Sequence, residues 1–379
     1  MAPEIALEEC SSLRPGSVVV DPMVGSGTTI HAAAKAGCTA IGTDVDPLAI
    51  LMSRVRTTPI DVDSLLDTAN TVVARAIAFN GSREIASIDQ DNETRAFVNF
   101  WFAESQQRDL RALSILITKI RNTSVRAALK VALSRLIITK DKGASLGRDV
   151  SHSRPHRVRT ENDFDVLLQF ERTSARLAKV LGETMLTGTA NAFLGDARSV
   201  CLRDSCADLV ITSPPYLNAI DYLRGHRLSL VWLGYSVAHI RRIRGESVGA
   251  ERGVEAGSSQ QLKDMRASLG NFSSLSSRHM RMVDRFLLDL LDLYREQARL
   301  LRSGGKAVTV IGNSALRGAF LRNDRAATVA AQFQGLVKVS EHERTLPSER
   351  RYLPPPQHLG GAALQQRMRT ETILRFAKK

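Results

Sequence analysis

Cysteine, aromatic residues, acids and long apolar runs are all scarce in this 379-residue sequence, and each shortage excludes something. There are four cysteines, Cys10, Cys38, Cys201 and Cys206. None forms a C-x-x-C pair and no Cys/His cluster has zinc spacing, so no disulfide framework, structural metal or other metal site is expected. Reduced thiols in a cytoplasmic setting follow from the same scarcity. No uninterrupted apolar run reaches the roughly 18 residues of a membrane span. The first 15 residues carry Glu4, Glu8 and Glu9 and lack the basic start and apolar stretch of a signal peptide. Acids are outnumbered, 39 Asp and Glu against 52 Lys and Arg, for a net charge of +13. An excess of that size points to an anionic partner, most often a nucleic acid. The hydrophobic share of 43% is ample for one large domain with a sub-domain or two.

The apolar pattern divides the chain. Residues 17–21 read as a buried strand, followed by the turn Gly25-Ser26-Gly27, a helix over 28–36 and a second strand over 38–44. Strand, tight glycine turn, helix and strand open a doubly wound α/β sheet. From residue 46 to about 182 the spacing becomes helical, as in Leu110, Leu113, Ile117 and Ile120. Asn122 is placed to cap a helix there. Residues 142–160 break the pattern with Gly143, Gly147 and Pro155 and read as a loop. Strands return at 192–195 and 207–212, and again at 306–312, 337–341 and 370–376, which makes seven. Residues 218–240 read as helical. Residues 245–279, rich in Gly, Ser and charge, read as a mobile loop. Residues 280–301 read as an amphipathic helix ended by Ser303-Gly304-Gly305. The organisation expected is a catalytic domain made of 1–54 and 186–379, with a helical basic insertion over 55–185.

Two runs carry chemistry. The first is Asp21-Pro22-Met23-Val24-Gly25-Ser26-Gly27-Thr28-Thr29. A glycine turn leaving a strand lets a ligand approach the backbone, and Asp44, closing the second strand, suits ribose hydroxyls. Asp46 is a rival for that role. The turn has neither the third glycine of G-x-G-x-x-G nor the lysine of a P-loop, so the nucleotide need not carry phosphates. The second run is Ser213-Pro214-Pro215-Tyr216, directly after an apolar strand. Two prolines end sheet pairing and fix their carbonyls outward. Ser213 adds a hydrogen-bond acceptor and Tyr216 an aromatic face for a base.

Together these runs resemble the S-adenosylmethionine-dependent DNA amino-methyltransferases, which methylate cytosine N4 or adenine N6. The resemblance implies an α/β, Rossmann-like seven-stranded methyltransferase sheet, here with a mainly helical insertion. It implies S-adenosyl-L-methionine as the cofactor, with the glycine loop under its methionine part and Asp44 on its ribose. Asp196, in Gly195-Asp196-Ala197, resembles the acid on the adenine side. Ser-Pro-Pro-Tyr resembles the family's (Asp/Asn/Ser)-Pro-Pro-(Tyr/Phe/Trp) motif, and serine in first place favours cytosine N4 over adenine N6. The chemistry implied is positional: the base leaves the stack, Tyr216 stacks on it, and Ser213 with the Pro214 carbonyl accepts the amino hydrogens. An RNA or tRNA amino-methyltransferase and an inactive nucleic-acid-binding paralogue stay open as alternatives. The resemblance covers the first fifty residues and most of 190–379 and leaves 55–185 unexplained. The early position of that insertion departs from the family pattern and puts the mode of DNA recognition in doubt. Protein partners of a modification or defence system fit the family; a membrane does not.

Positive charge concentrates in the insertion. Residues 95–160 hold 14 Lys and Arg against 4 Asp and Glu, a net of +10. Arg148, Ser151, His152, Arg154, His156 and Arg157 gather guanidinium, imidazole and hydroxyl groups suited to phosphate oxygens. Asn218 and Arg224, just after the second motif, are further candidates. Charge reversal at Arg154 and Arg157 is expected to weaken DNA binding and flatten its dependence on salt, read by titration at several ionic strengths. Unchanged affinity would remove this segment from the interface.

Overall fold

A computed structural model describes residues 2–79, 84–148, 155–217, 221–249, 259–272, 275–346 and 370–379. In chain order the elements begin with α1 (Pro3–Ser11), β1 (Val18–Asp21), α2 (Thr28–Lys35) and β2 (Thr39–Asp44). Seven helices follow: α3 (Pro47–Thr57), α4 (Val62–Ile77), α5 (Ala86–Asp89), α6 (Asn92–Trp101), α7 (Glu104–Thr118), α8 (Thr123–Ile137) and, after strands β3 (Gly147–Arg148) and β4 (His156–Arg157), α9 (Val166–Gly182). Then come β5 (Thr189–Leu194), β6 (Ala207–Thr212), α10 (Tyr222–Leu230), α11 (Val237–Glu246), α12 (Gln260–Leu269) and α13 (Ser277–Leu300). The chain ends with β7 (Leu301–Ile311), β8 (Ser314–Leu316), β9 (Ala319–Leu321), α14 (Asn323–Phe333), β10 (Leu336–Thr345) and β11 (Thr370–Lys378).

The chain forms two compact units. One holds 1–45, 186–220 and 245–379; the other holds 46–185 and 221–244. The first is built on a seven-stranded sheet in the order β10-β11-β7-β6-β1-β2-β5. Strands β5, β2, β1, β6 and β7 run parallel, so their carboxyl ends share one edge. The last two strands are antiparallel, β11 to β7 and β10 to β11. The fold is therefore α/β and Rossmann-like, as the motifs imply. Val19 and Val20 of β1 are fully buried, as suits the middle of a sheet covered on both faces. In the same core α13 presents Phe286, Leu290 and Tyr294, and the Tyr294 ring meets Phe376 of β11 edge-on at 5.7 Å.

The second unit packs α3–α11 around its own core, which includes Leu65, Leu113, Leu129, Phe170 and Trp232. Its helices start on side-chain caps. Asp46, Asp61, Asp91, Asn122 and Asp165 each accept a backbone N–H of the first turn. The cap expected at Asn122 is present, with Oδ1 taking the amides of Ser124 and Val125 at 3.1 and 3.2 Å.

Three local expectations are corrected. Segment 142–160 is not all loop: β3 and β4 pair antiparallel, Gly147 with Arg157 and Arg148 with His156. Segment 245–279 contains helix α12, whose Leu262, Met265 and Leu269 are fully buried in the sheet unit's core. Three apolar residues at helical spacing outweigh the polar composition around them. Third, α13 ends at Leu300 and β7 starts at Leu301, so Gly304 and Gly305 lie inside the strand, near an irregular register with β6. Residues 46–54 and 221–244 group with the helical unit, not with the sheet.

Candidate active site

Everything chemical in the sheet unit gathers at the carboxyl edge. Asp21 closes β1, and its neighbour Pro22 has its carbonyl held by the Thr43 hydroxyl at 3.0 Å. Val24 donates to the Thr43 carbonyl at 2.8 Å, which lays the turn across the end of β2. Gly25 and Gly27 have φ of +51° and +81°, a left-handed conformation that side chains disfavour. A Cβ on Gly25 would meet nothing within 4 Å, so the turn has open space on that side. Ser26 is exposed, Thr28 opens α2 and Thr29 is buried.

Asp44 lies opposite this turn. Its Oδ2 accepts the Gly25 amide at 2.9 Å, and its carbonyl accepts the Gly195 amide at 3.1 Å. One residue thus ties together the glycine turn, the end of β2 and the end of β5. Its rival Asp46 caps α3 through the Leu48 amide at 2.8 Å and pairs with His226 Nδ1 at 2.5 Å in the helical unit. An open glycine turn faced by a carboxylate is a donor and acceptor set that fits a nucleoside such as S-adenosylmethionine. Asp44 would take its ribose hydroxyls and the turn its methionine part.

Asp196 follows β5 and is held by Arg198. The Arg198 amide and Nε reach Oδ1 at 2.9 and 3.0 Å, and Nη2 reaches Oδ2 at 2.6 Å. Burial raises this carboxyl, but the hydrogen bonds from Arg198 outweigh burial and keep it below the ordinary carboxylate range.

Ser213, Pro214, Pro215 and Tyr216 leave the end of β6, the strand beside β1. Pro214 is buried and the other three are half-buried. The Tyr216 ring lies against Gly312, just past the end of β7. A Cβ on Gly312 would sit 2.8 Å from Tyr216 Cε2 and 3.1 Å from Cζ. Only glycine leaves room for that ring. Gly312 is itself held, since its carbonyl accepts from Asn323 Nδ2 at 2.9 Å and Asn323 is fully buried. Neither Gly312 nor Asn323 stands out in the sequence; a lone glycine ending a strand is the only signal there.

The remaining candidates lie in the helical unit or outside the described residues. Arg148, His156 and Arg157 sit on the β3–β4 pair. Arg148 Nε donates to the Lys140 carbonyl at 2.7 Å. The Arg157 guanidinium lies 4.9 Å above the ring of Phe100, which is 49% exposed. Arg224 pairs with Asp221 at 3.2 Å, beside Arg244 on the same carboxylate. Ser151, His152, Arg154 and Asn218 lie outside the described residues. Among the described residues no group of three or more His, Cys, Asp or Glu is arranged to hold a metal ion, and no helix is long and apolar enough to cross a membrane. Burial pushes the Cys10 thiol up to about 12, far from a reactive thiolate.

No family model matches the chain. Among curated proteins it is similar to the type II methyltransferase M.MvaI of Kocuria varians, 22% identical over 262 residues, covering 62% of this chain and 56% of that protein. It is also similar to the type II methyltransferase M.BsoBI of Geobacillus stearothermophilus, 24% identical over 280 residues, covering 68% and 55%. The chain is thus similar in sequence to two type II methyltransferases. It spans little more than half the length of these two relatives. Among solved structures, a candidate DNA modification methylase of Thermus thermophilus, complexed with S-adenosylmethionine, aligns over 48% of this chain and 51% of its own at 19% identity and a TM-score of 0.26. A geranyl diphosphate methyltransferase with the same cofactor aligns over 100% and 84% at 9% identity and a TM-score of 0.37. Both scores are below 0.5, so the strand order of the chain itself carries the fold assignment.

Asp21 yields a prediction that needs no substrate. Its carboxyl is buried at 3% exposure and is raised above the ordinary range, chiefly by burial, against hydrogen bonding from Thr29 and the Met23 amide. The native state therefore holds this proton more tightly than the unfolded chain does. Stability is lost as pH rises from the unfolded carboxyl value of about 4 through the higher native value. Asp21→Asn removes that titration. Melting temperatures across this window should fall for the wild type relative to D21N, and a difference independent of pH would contradict the assignment.

Proposed function

We propose that this chain transfers the methyl group of S-adenosylmethionine to an exocyclic amino group of a base in DNA, with cytosine N4 as the target. One observation carries the reading: an open glycine turn faced by Asp44 and the Ser213–Tyr216 run leave neighbouring parallel strands at the same edge. When bound, the cofactor supplies an electrophilic methyl group on a sulfonium. The chain's own residues do the rest by positioning. A base inside a duplex cannot be reached, so the target is extruded. Tyr216, braced by Gly312, stacks on the extruded ring. Ser213 Oγ and the Pro214 carbonyl accept the two amino hydrogens and turn the nitrogen lone pair outward. With the lone pair so aimed, the nitrogen would take the methyl group as its bond to sulfur breaks, the cofactor would be left a neutral thioether, and the amino proton would pass to water. Ser213 is too weak a base to take that proton beforehand; the choice of cytosine N4 over adenine N6 rests on the resemblance, in which serine in first place of the motif favours cytosine.

The helical unit supplies a surface for the DNA backbone. Arg148 and Arg159 are held by backbone carbonyls, at Lys140 and Asp141, and Arg157 by the face of Phe100. The acceptors that hold Arg148 and Arg157 are neutral, so their contacts leave the guanidinium charge to act on phosphates.

The deciding experiment incubates the protein with methyl-labelled cofactor and either DNA or RNA, digests the polymer and identifies the nucleoside by mass spectrometry. N4-methylcytosine from DNA is expected. N6-methyladenine would move the target base, and label in RNA alone would replace DNA as the substrate. No transfer together with no cofactor binding by calorimetry would leave a nucleic-acid-binding paralogue. Tyr216→Ala is expected to lower turnover by about 10- to 100-fold, from lost stacking of about 1–3 kcal/mol, with cofactor affinity retained.

A further inference from the structure

The resemblance gives Asp196 a direct contact with the cofactor's adenine, yet its carboxylate is already engaged. A carboxylate offers about four acceptor positions. Arg198 occupies most of them with three donors: its amide at 2.9 Å, the single Nε–H shared at 3.0 and 3.2 Å, and Nη2 at 2.6 Å. The same guanidinium reaches two further acceptors. Nη1 donates to Asp289 Oδ1 at 2.6 Å and Nη2 to the Glu246 carbonyl at 2.6 Å. Asp289, on α13, is 3% exposed. Its Oδ2 accepts the Gly249 amide at 3.1 Å, and Arg285 Nε lies 3.1 Å from both oxygens. The four charged groups of this partly buried cluster balance, two guanidinium against two carboxylate. Gly249, at φ +72°, backs the catalytic motif: a Cβ there would sit 3.6 Å from Pro215 Cγ.

We propose that Arg198 is a positioning residue that locks the Asp196 corner and the Pro215 wall together, so that the seat for the cofactor and the seat for the base are set as one. The proposal rests on the function proposed above. Arg198 spans segments that are distant in sequence, at 196, 246 and 289, with one planar fork of donors. Lysine cannot replace it, having three donors at a point and no fork. Two further contacts brace the same loop: Val200 donates to Glu296 at 2.6 Å, and Arg299 holds the Leu202 carbonyl at 2.8 Å. The loop between β5 and β6 is thus tied to α13 at Asp289, Glu296 and Arg299, and the Arg198–Asp289 tie is the one that also reaches Gly249 beside Pro215.

The test is a double-mutant cycle on the full chain, with Arg198→Lys and Gly249→Ala. S-adenosylmethionine affinity is read by calorimetry, turnover on DNA by labelled-methyl transfer, and folding by melting temperature. Gly249 is far from the cofactor turn in sequence and contacts Pro215, yet G249A is expected to weaken cofactor binding about fivefold through the shared network. R198K is expected to weaken cofactor binding and lower turnover by about tenfold each, and the double variant should bind no worse than R198K alone. Unchanged cofactor affinity in G249A, or losses that multiply in the double variant, would overturn the proposal. A purely structural role would lower the melting temperature while the folded protein keeps its affinity and turnover, and that also counts against it. Should R198K not fold, the affinity of G249A alone decides. A wild-type chain that binds no cofactor would overturn the function itself, an outcome distinct from additive effects in a chain that does bind.

Discussion

The pairing of β1 with β2 on one side and β6 on the other is the constraint on which the site depends. Strand β1 is only four residues long, but Val19 and Val20 are fully buried and register with Ala40 and Ile41 of β2 and Leu209 and Val210 of β6. Because all three strands run the same way, Asp21, Asp44 and Thr212 finish at one edge. The glycine turn and the Ser-Pro-Pro-Tyr run then have no alternative but to leave from neighbouring positions. Antiparallel pairing at either interface would send one of them to the opposite edge. The site is thus a consequence of strand direction, and the side chains refine what the sheet has already placed.

Refinement comes from groups that fix their neighbours more than they face a ligand. Asp44 holds Gly25 through its carboxylate and Gly195 through its carbonyl. Gly312 contributes an absence of side chain, into which the Tyr216 ring fits, and Asn323 holds Gly312 in turn. Arg198 holds Asp196, Glu246 and Asp289. A reaction run by orientation, without a strong base or a covalent intermediate, depends on such second contacts more than acid–base chemistry does.

Much of this is legible in the sequence, and the illegible part has a common cause. Each of the seven sheet strands shows at least in part as an apolar stretch, and residues 207–212 match β6 residue for residue, whereas β10 runs on through the polar residues 340–345. The two motifs are contiguous, so a linear reading finds them. The β3–β4 pair escapes such a reading because two residues per strand carry no periodicity, and their pairing depends on contacts across the intervening chain. Helix α12 escapes it because its three buried residues lie in polar surroundings, where composition outvotes spacing. The network around Arg198 joins residues up to 91 positions apart, and Gly312 lies 96 positions from the ring it accommodates. Nothing local marks such partners until the sheet brings them together. Charge is the reverse case: the excess of Lys and Arg over 95–160 is plain in the sequence, while the carbonyls and aromatic face that fix individual arginines appear only in the fold.

The central claim is that cofactor and target base share the carboxyl edge of β1, β2 and β6. A crystal structure with S-adenosylhomocysteine tests it most directly. The account predicts the ligand in the open space of the Gly25 turn, its ribose hydroxyls on Asp44 and its sulfur toward Ser213 and Tyr216. A ligand bound away from that edge, or a ribose held by an acid other than Asp44, would contradict it.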